Sequence, residues 1–317
     1  MKKLMVIPLV AAGMAAMVGC SKTPVKEAAK NDAINLANLD TAVAPGTDFY
    51  QYACGGWMKN NPLKPEYARF GTFDQLRDNN QEQIRTLIEG LSETPGQEGS
   101  VGQKIGMLFA MGMDSVKLNE DGYAPIKDQL AEINKLGTKD ELTKMVATLH
   151  KEGMAPFFAL YVGADEKNSS MNIVQLYQAG LGMGDRDYYL LEDESSQKMR
   201  EAYKNYITRL FTLIGSSPEQ ADAAVNAIMK IERGIAEVSF SREDLRDSQK
   251  NYNKMSIEDF KAKNDLLNWD VYFESMGMMD IKYLDAKQLS FYEGLSALMK
   301  NTTLDEQKYY LTFNLLS

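Results

Sequence analysis

The chain has 317 residues, 44% of them apolar and 25% charged, which argues against intrinsic disorder and provides enough length for one large or two ordinary domains. It contains one histidine, His150, and two cysteines, Cys20 and Cys54. Within these residues the counts exclude zinc sites that need several His or Cys ligands, such as H-E-x-x-H sites and zinc fingers. The net charge of −9, without a basic stripe, predicts no nucleic-acid partner.

The N-terminal segment has the features of a bacterial lipoprotein signal. Lys2 and Lys3 precede an apolar run over residues 4–18, which is too short to span a bilayer. The run ends in Met17-Val18, followed by Gly19 and Cys20, and these residues resemble a lipobox, in which the signal is cut before the cysteine and the thiol carries lipid. We therefore predict that residues 1–19 are a signal peptide and that Cys20 is lipidated. An ordinary cleaved signal with an incidental cysteine is the alternative.

A polar segment rich in Lys, Asn and Ala follows the cysteine. Residues 20–40 are predicted to be the lipid anchor and a flexible tether, and residues 41–317 the folded domain. The protein is thus expected in the bacterial cell envelope, attached to a membrane through its lipid outside the cytoplasm, on the periplasmic or outer-membrane side.

Apolar residues recur at helical spacing through most of the remaining chain. Two helices have explicit start signals, a capping box at Thr138 and Glu141, and Ser217 before Pro218 with Gln220, which opens a helix running to about Val238. The periodicity alone predicts further helices over residues 75–91, 123–136, 203–214, 286–300 and 304–316.

One region has strand character instead. Residues 157–162 and 172–177 are rich in aromatic and β-branched residues, and the polar segment 164–170 separates them. This pattern predicts a β-hairpin with a rather long loop. The predicted fold is therefore mainly α, a multi-helix domain with a small antiparallel β-hairpin insert.

Common catalytic motifs are absent from the sequence, which has no G-x-S-x-G, Walker A or C-x-x-C pattern. The glycine-rich residues 180–184 lack the last glycine of a dinucleotide fingerprint, because Asp185 occupies that position, so a turn is predicted. His150 ends an amphipathic helix and is interpreted as a structural or capping residue. Cys54 is interpreted as a buried, inert thiol, with a Cys54–His150 dyad as the alternative.

Residues 48–78 contain the most specific pattern. The segment from Asp48 to Trp57 reads D-F-Y-Q-Y-A-C-G-G-W, and residues 69–78 read R-F-G-T-F-D-Q-L-R-D. Both strongly resemble N-terminal motifs of the neprilysin and endothelin-converting-enzyme family of zinc metallopeptidases. Further resemblances follow in the family's order within residues 149–157, 180–190, 251–256 and 309–311, so the resemblance covers about residues 41–317.

The resemblance implies a substrate-binding role for three residues. Arg69 matches an arginine that contacts the terminal carboxylate of the substrate, and Asp74 and Arg77 match residues that support this pocket. A guanidinium can bind a carboxylate bidentately, and Asp74 can orient one arginine. A plain ion-pair network is the alternative. For the rest of the block, the packing interpretation has Gly55 and Gly56 permitting close backbone approach and Trp57 filling the core.

The sequence departs from the family at the catalytic site. The family needs H-E-x-x-H and a downstream glutamate to hold zinc and activate water, and neither occurs in this sequence. We therefore expect no catalytic residue, metal site or cofactor on this chain, which is expected to be truncated before the catalytic motifs. Zinc would be bound only by a full-length protein.

Two functions follow as hypotheses. The first is the substrate-cavity portion of a lipid-anchored zinc metalloendopeptidase that hydrolyses oligopeptides, inactive without its C-terminal catalytic half. The second is a non-catalytic helical lipoprotein that acts as a peptide-binding or interaction module.

Overall fold

The computed structural model describes residues 34–63 and 69–317. The chain divides into two compact units, the N-terminal unit Met1–Met113 and the C-terminal unit Asp114–Ser317. The predicted signal peptide and Cys20 lie outside the described residues. Within the described ranges, no helix is both long and apolar enough to cross a membrane.

The described part of the N-terminal unit is helical. After a 3-10 turn at Leu36–Asn38 come α1 (Phe49–Asn60), α2 (Thr72–Glu93) and α3 (Val101–Met113). Helix α1 begins where the Asp48 carboxylate accepts the Gln51 N–H at 2.9 Å, a normal N-cap. Helices α2 and α3 pack together at Gly106, where an added Cβ would lie 2.3 Å from the Leu91 carbonyl oxygen. Only glycine permits this approach.

A second glycine brings α1 against the preceding segment. A Cβ on Gly56 would lie 2.4 Å from the Ala37 carbonyl oxygen, so the predicted close backbone approach is confirmed. The Asp40 N–H also donates to the Tyr52 carbonyl at 2.8 Å. The last residues of the predicted tether therefore contact α1. Trp57 is only half-buried, so its interpretation as a core residue is wrong.

The C-terminal unit contains most of the helices that the structure describes. They are α4 (Ser115–Asp121), α5 (Lys127–Lys135), α6 (Lys139–Lys151), α7 (Asp187–Leu190), α8 (Glu194–Leu213), α9 (Pro218–Val238), α10 (Ile257–Lys263), α11 (Trp269–Met276), α12 (Leu289–Lys300) and α13 (Leu304–Leu316).

The predicted helix starts are confirmed where caps were recognised. Both reciprocal bonds of the capping box form at Thr138 with Glu141, and again at Ser217 with Gln220. The helix predicted over 123–136 begins later, because Pro125 lies in a separate 3-10 turn before α5. The short helices α4, α7, α10 and α11 were not predicted, since four to eight residues carry too little periodicity. The longer helices α1 and α3 were not predicted either.

The predicted hairpin is confirmed, but it is half of a four-stranded mixed sheet. Its strands are β1 (Phe158–Asp165), β2 (Asn168–Gln178), β3 (Lys254–Ser256) and β4 (Tyr283–Ala286), in the order β1-β2-β4-β3. Strand β4 pairs in parallel with β2 and antiparallel with β3. The long loop predicted between the hairpin strands is wrong, because only Glu166 and Lys167 form the turn. Its polar residues belong to the part of the hairpin that extends beyond the core.

The sheet and helices enclose two apolar clusters in the C-terminal unit. Aromatic residues dominate the larger cluster, where the Phe158 ring contacts those of Trp269, Tyr272 and Tyr292 at centroid distances of 5.5, 5.6 and 6.0 Å. The smaller cluster lies among α7, α8, α9 and α13. Helix α9 contributes to both clusters, so it ties the sheet side of the unit to the helical side. Each fully buried large side chain contributes roughly 1.5–3 kcal/mol.

Candidate functional site

The start of α2 carries the predicted substrate-binding residues. Asp74 lies in the first helical turn, where its Oδ2 accepts the Gly71 N–H at 2.9 Å. Its Oδ1 lies 3.1 Å from Nη1 of Arg77, one turn later. The carboxylate is held by the backbone on one side and a guanidinium on the other, and the positive end of the helix dipole favours its charge. The structure thus brings Asp74 and Arg77 together.

Arg69 is placed differently. It precedes α2 and is exposed, and within the described ranges it forms no hydrogen bond or ion pair with Asp74 or Arg77. Its neighbour Phe70 stacks on Trp57, with ring centroids 6.1 Å apart and planes at 15°. This stacking attaches the segment before α2 to α1. The arrangement leaves the Arg69 guanidinium accessible, as binding of an external carboxylate would require.

His150 is part of the scaffold, as predicted. Its Nδ1 lies 2.6 Å from the Tyr272 hydroxyl, and its Nε2 lies 3.2 Å from the Pro156 carbonyl oxygen. A carbonyl can only accept, so Nε2 carries the proton and Nδ1 accepts from the tyrosine. Burial lowers the pKa of His150 to about 4, so the ring is neutral at physiological pH. With both nitrogens engaged, no ring nitrogen remains for a dyad with Cys54, which is a half-buried free thiol.

The residue directly before β1, Phe157, has a strained backbone. Phe157 is fully buried and has a φ of +67°, a conformation that costs a bulky side chain about 1–3 kcal/mol. Its N–H donates to the Tyr310 hydroxyl at 3.1 Å, and that hydroxyl donates to the Gly180 carbonyl at 2.8 Å. A Cβ on Gly180 would lie 2.6 Å from the same hydroxyl oxygen. Three motifs that resemble the family therefore meet at one strained joint.

A buried carboxylate near this joint was not predicted from the sequence. Glu232 on α9 is 1% exposed and accepts hydrogen bonds from the hydroxyls of Tyr189 at 2.7 Å and Tyr203 at 2.9 Å. It also accepts the Gly182 N–H at 3.2 Å. Burial raises the pKa of Glu232 to about 7, against the opposing effect of the three donors. Its position among Ile228, Ile231 and Ile235 on the apolar face of α9 was the available sequence signal.

Glu232 also lines an open cavity of 460 Å³. The glycine-rich segment 180–184, predicted to be a turn and observed as one, forms part of its wall. Because both carboxylate oxygens already accept hydrogen bonds, one of them from Gly182, Glu232 fixes this segment to α9 and does not present a free acid to the cavity.

The far end of the sheet holds two further buried carboxylates, each paired with a lysine. Asp165, 1% exposed, accepts from Lys254 Nζ at 2.7 Å and from the Tyr252 hydroxyl at 2.9 Å. These contacts, the lysine first among them, lower the pKa of Asp165 to about 2. Asp285 lies 3.1 Å from Lys287 Nζ. Because each carboxylate is paired with a lysine, neither is a free acid or base, and removing one partner would leave an uncompensated buried charge.

The described side chains do not fit a zinc site. Among residues 34–63 and 69–317, no group of three or more His, Cys, Asp or Glu is placed to hold a metal ion. Among the predicted site residues, the exposed Arg69 has a guanidinium chemically suited to a carboxylate.

The sequence matches the model of peptidase family M13 over residues 45–317. It is 29% identical to mouse endothelin-converting enzyme 1 over 341 aligned positions, which cover 99% of this chain and 43% of the relative. It is 32% identical to the bovine endothelin-converting enzyme 1, over 74% of this chain and 31% of the relative. The chain therefore spans less than half the length of these proteins.

Solved structures share the fold. A Mycobacterium tuberculosis zinc metalloprotease, ZMP1, in complex with an inhibitor superimposes with a TM-score of 0.78 at 24% identity, covering 89% of this chain and 43% of that one. PepO from Lactobacillus rhamnosis superimposes with a TM-score of 0.67 at 19% identity, over 86% and 43% of the two chains. At these identities the likeness concerns the fold alone.

Proposed function

This chain belongs to peptidase family M13, and from that premise we propose that it forms the substrate-cavity portion of a lipid-anchored zinc metalloendopeptidase that hydrolyses oligopeptides. The match of the family model over residues 45–317 carries the proposal. Because the chain spans 43% of the length of mouse endothelin-converting enzyme 1, the activity of a whole protein is part of the proposal.

In the proposed enzyme Arg69 binds the terminal carboxylate of the peptide. An exposed guanidinium can donate two parallel hydrogen bonds to a carboxylate, which adds specificity to affinity. Asp74 and Arg77 hold the start of α2, and through it the segment that carries Arg69. They act as positioning residues. A plain ion pair of this exposure would contribute only about 0–1 kcal/mol to folding, so its effect is expected in binding.

The zinc of the proposed enzyme would be held by residues C-terminal to Ser317, where it would act as a Lewis acid and activate water. The N-terminal unit has apolar side chains that a further segment of the protein could cover. On α2 and α3 they are exposed, among them Leu87 at 63% and Leu108 at 72%. Exposed apolar side chains on two packed helices suit a contact area. We propose that the catalytic half covers these helices.

The anchor completes the proposal and rests on sequence alone. A basic start, an apolar run of signal-peptide length and Cys20 directly after it support lipidation at that cysteine in the bacterial cell envelope. Radiolabelled palmitate should be incorporated at Cys20, and labelling that persists in Cys20→Ala would contradict the assignment.

The first test compares this chain with the longer gene product. Purified residues 21–317 should bind no stoichiometric zinc and cleave no peptide, whereas the chain extended by its downstream catalytic half should do both. Elemental analysis and a quenched fluorescent peptide provide the readouts. Equimolar zinc on the shorter chain, lost on chelation together with peptidase activity, would contradict the proposal. Peptide binding by the extended chain without zinc or hydrolysis would favour a non-catalytic binding module.

The second test addresses Arg69. In the extended enzyme, Arg69→Ala should lower kcat/KM about 10–100-fold for peptides with a free C-terminus, the effect of losing one or two charge-assisted hydrogen bonds. Amidated peptides should be affected much less. Arg85→Ala is the matched control, since Arg85 is also exposed and lies on α2, where it pairs with Glu89 at 2.8 Å. Equal losses on free and amidated peptides would refute the role of Arg69.

A further inference from the structure

We propose that the free edge of β1 binds an uncharged, extended peptide segment by strand addition. The choice of a peptide as ligand rests on the proposed function. The edge itself is a feature of the sheet, whose order β1-β2-β4-β3 leaves β1 at one side.

Hydrogen bonds on β2 establish which backbone groups face which neighbour. The Leu176 carbonyl accepts the Lys287 N–H at 3.0 Å, beyond the end of β4, and the Gln178 N–H donates to Gln288 Oε1 at 2.9 Å. Both residues therefore direct their backbone groups to the β4 side. Because successive residues of a strand direct these groups to opposite sides, Gln175 directs its own toward β1.

The register then identifies the free groups on β1. Gln175 lies opposite Tyr161, so these two residues form a hydrogen-bonded pair across the hairpin. The neighbours of Tyr161, Leu160 and Val162, direct their N–H and C=O groups away from β2. Within the described ranges neither residue makes another backbone hydrogen bond. Their spacing of two residues is the repeat that an added extended strand requires.

The two edges of the sheet differ in a way that supports binding at β1. Strand β3 is only three residues long, and very short edge strands resist unwanted pairing. Strand β1 is eight residues long, and residues 158–164 contain no charged residue and no proline. An unprotected apolar edge of this length is an aggregation hazard. Its presence is explained if binding requires the edge.

Side-chain exposure indicates what the edge accepts. Tyr161 and Val162 point to opposite faces of β1 and are 45% and 56% exposed, so side chains on either face of an added strand would meet apolar surface. The nearby charges at Asp165 and Lys254 are paired with each other. In the turn that follows β1, Glu166 is paired with Lys287, and the Lys167 ammonium lies 4.3 Å from the centroid of the Tyr252 ring. Because these described charges are all engaged, an uncharged segment is the matching ligand.

The joint before β1 holds the edge in place. Phe157, strained at φ +67°, is followed at once by the first residue of β1, and its N–H is fixed by Tyr310. Strain of about 1–3 kcal/mol persists where surrounding structure requires one geometry, often at binding sites. Here that geometry sets the direction in which β1 leaves the core.

The direct test measures binding of a fluorescein-labelled heptapeptide of alternating threonine and valine by fluorescence anisotropy, using the full chain. A peptide N-methylated at alternate residues keeps one hydrogen-bonding edge and cannot stack on itself, so it should bind about as well. A fully N-methylated peptide has no such edge and should not bind. Equal affinity for all three peptides would overturn strand addition.

Variants locate the binding on β1. Val162→Pro removes the outward N–H without touching the ladder to β2 and should weaken binding about tenfold or more, whereas Val162→Thr keeps the N–H and should bind nearly as wild type. Met171→Thr is the control on β2, where Met171 is 57% exposed. Thermal melting by circular dichroism verifies folding, and if Val162→Pro fails to fold, Leu160→N-methylleucine introduced by ligation replaces it. Unchanged binding in folded edge variants would refute the site.

Two other outcomes are separable. Self-association in light scattering that Val162→Pro abolishes, with no peptide binding by the wild type, would make a second copy the occupant and overturn the proposal. Hydrolysis does not enter the assay. If no peptide binds, this site is rejected and the peptidase proposal stands. If the chain extended by its downstream half binds the peptide but hydrolyses none, only the peptidase proposal is rejected.

Discussion

The N-terminal and C-terminal units bury their apolar residues to very different degrees. In the described part of the N-terminal unit only two glycines, Gly55 and Gly106, are buried, and Phe73 is 88% exposed. The C-terminal unit buries two apolar clusters, with residues such as Phe158 and Ile231 fully inaccessible. Both units are mainly helical, and the described strands all lie in the C-terminal unit, so helix content does not account for the difference.

The two units differ in what stabilises them. Tertiary packing, more than local propensity, supplies most helical stability in proteins. The C-terminal unit contains the partners of its own helices, whereas α2 and α3 have amphipathic surfaces that nothing in the described N-terminal unit covers. The catalytic-half contact proposed above would be the missing packing for these helices.

The largest expected effect contrasts one phenylalanine from each unit. Phe158→Ala should lower the free energy of unfolding by about 3–5 kcal/mol, because it empties a fully buried aromatic site. Phe73→Ala, at an exposed position on α2, should change it by less than about 0.5 kcal/mol. Urea unfolding followed by circular dichroism measures both. Similar losses would show that the N-terminal unit buries Phe73 in solution, and the contrast between the units would fail.

The next prediction uses titratable groups that only the C-terminal core supplies. The folded pKa of Glu232 is about 7 against the usual 4.5, so the unfolding free energy falls as pH rises from about 4.5 to 7. The folded pKa of His150 is about 4 against the usual 6.5, so the unfolding free energy falls as pH drops from about 6.5 to 4. Each effect is worth roughly 3 kcal/mol, and the two oppose each other. Between about pH 4.5 and 6.5 they should nearly cancel in the unmodified protein.

Removing one group should reveal the other. Glu232→Gln keeps an acceptor for the tyrosine hydroxyls but no longer titrates, so its stability should rise with pH across this window, as the His150 contribution dictates. Urea midpoints at several pH values provide the measurement. Glu237→Gln is the control, since Glu237 is also on α9 but lies at the surface, paired with Arg233. A flat profile for Glu232→Gln would show that the pKa of His150 is not lowered. If the unmodified protein shows the same rise as Glu232→Gln, Glu232 is ionised in the folded state.

The smallest effect separates two glycines within the N-terminal unit. Gly56→Ala should destabilise by about 1–3 kcal/mol, because the new Cβ overlaps the Ala37 carbonyl oxygen. Gly90→Ala should instead stabilise by about 0.5–1 kcal/mol, because Gly90 lies inside α2 with open space around it. Amide hydrogen exchange in α1 and α2 measures the change in local stability that each substitution causes. Equal effects would mean that the segment before α1 is not held against it.

Much of the helical framework was predictable because its signals are local. The helix that begins after Ser217 and the helix at 304–316 have the predicted bounds, since a cap and an apolar stripe lie within a few residues of the structure they specify. The two-stranded hairpin was also recognised. Strands β3 and β4 were not, because three or four residues acquire strand geometry only through their partners.

For the candidate site, Arg69, Asp74 and Arg77 stay predictions that rest on motif resemblance, and the position of His150 at a helix end indicated a scaffold residue. The tertiary structure decided which of them meet. It pairs Asp74 with Arg77, leaves Arg69 exposed, and buries Glu232 between two tyrosines from other helices. The sequence shows that a charged residue, Glu232, lies on the apolar face of α9, but it does not show that Tyr189 and Tyr203 are its partners.

By itself, the sequence determined the family, the mainly helical architecture and the absence of H-E-x-x-H from these residues, because composition, caps and short motifs are properties of neighbouring residues. Only the tertiary structure decided the strand order, the free edge of β1, the neutral state of His150 and the strain at Phe157. These depend on burial and on contacts such as His150 with Tyr272 or Phe157 with Tyr310, between residues more than a hundred positions apart. Such contacts exist only once the chain has folded.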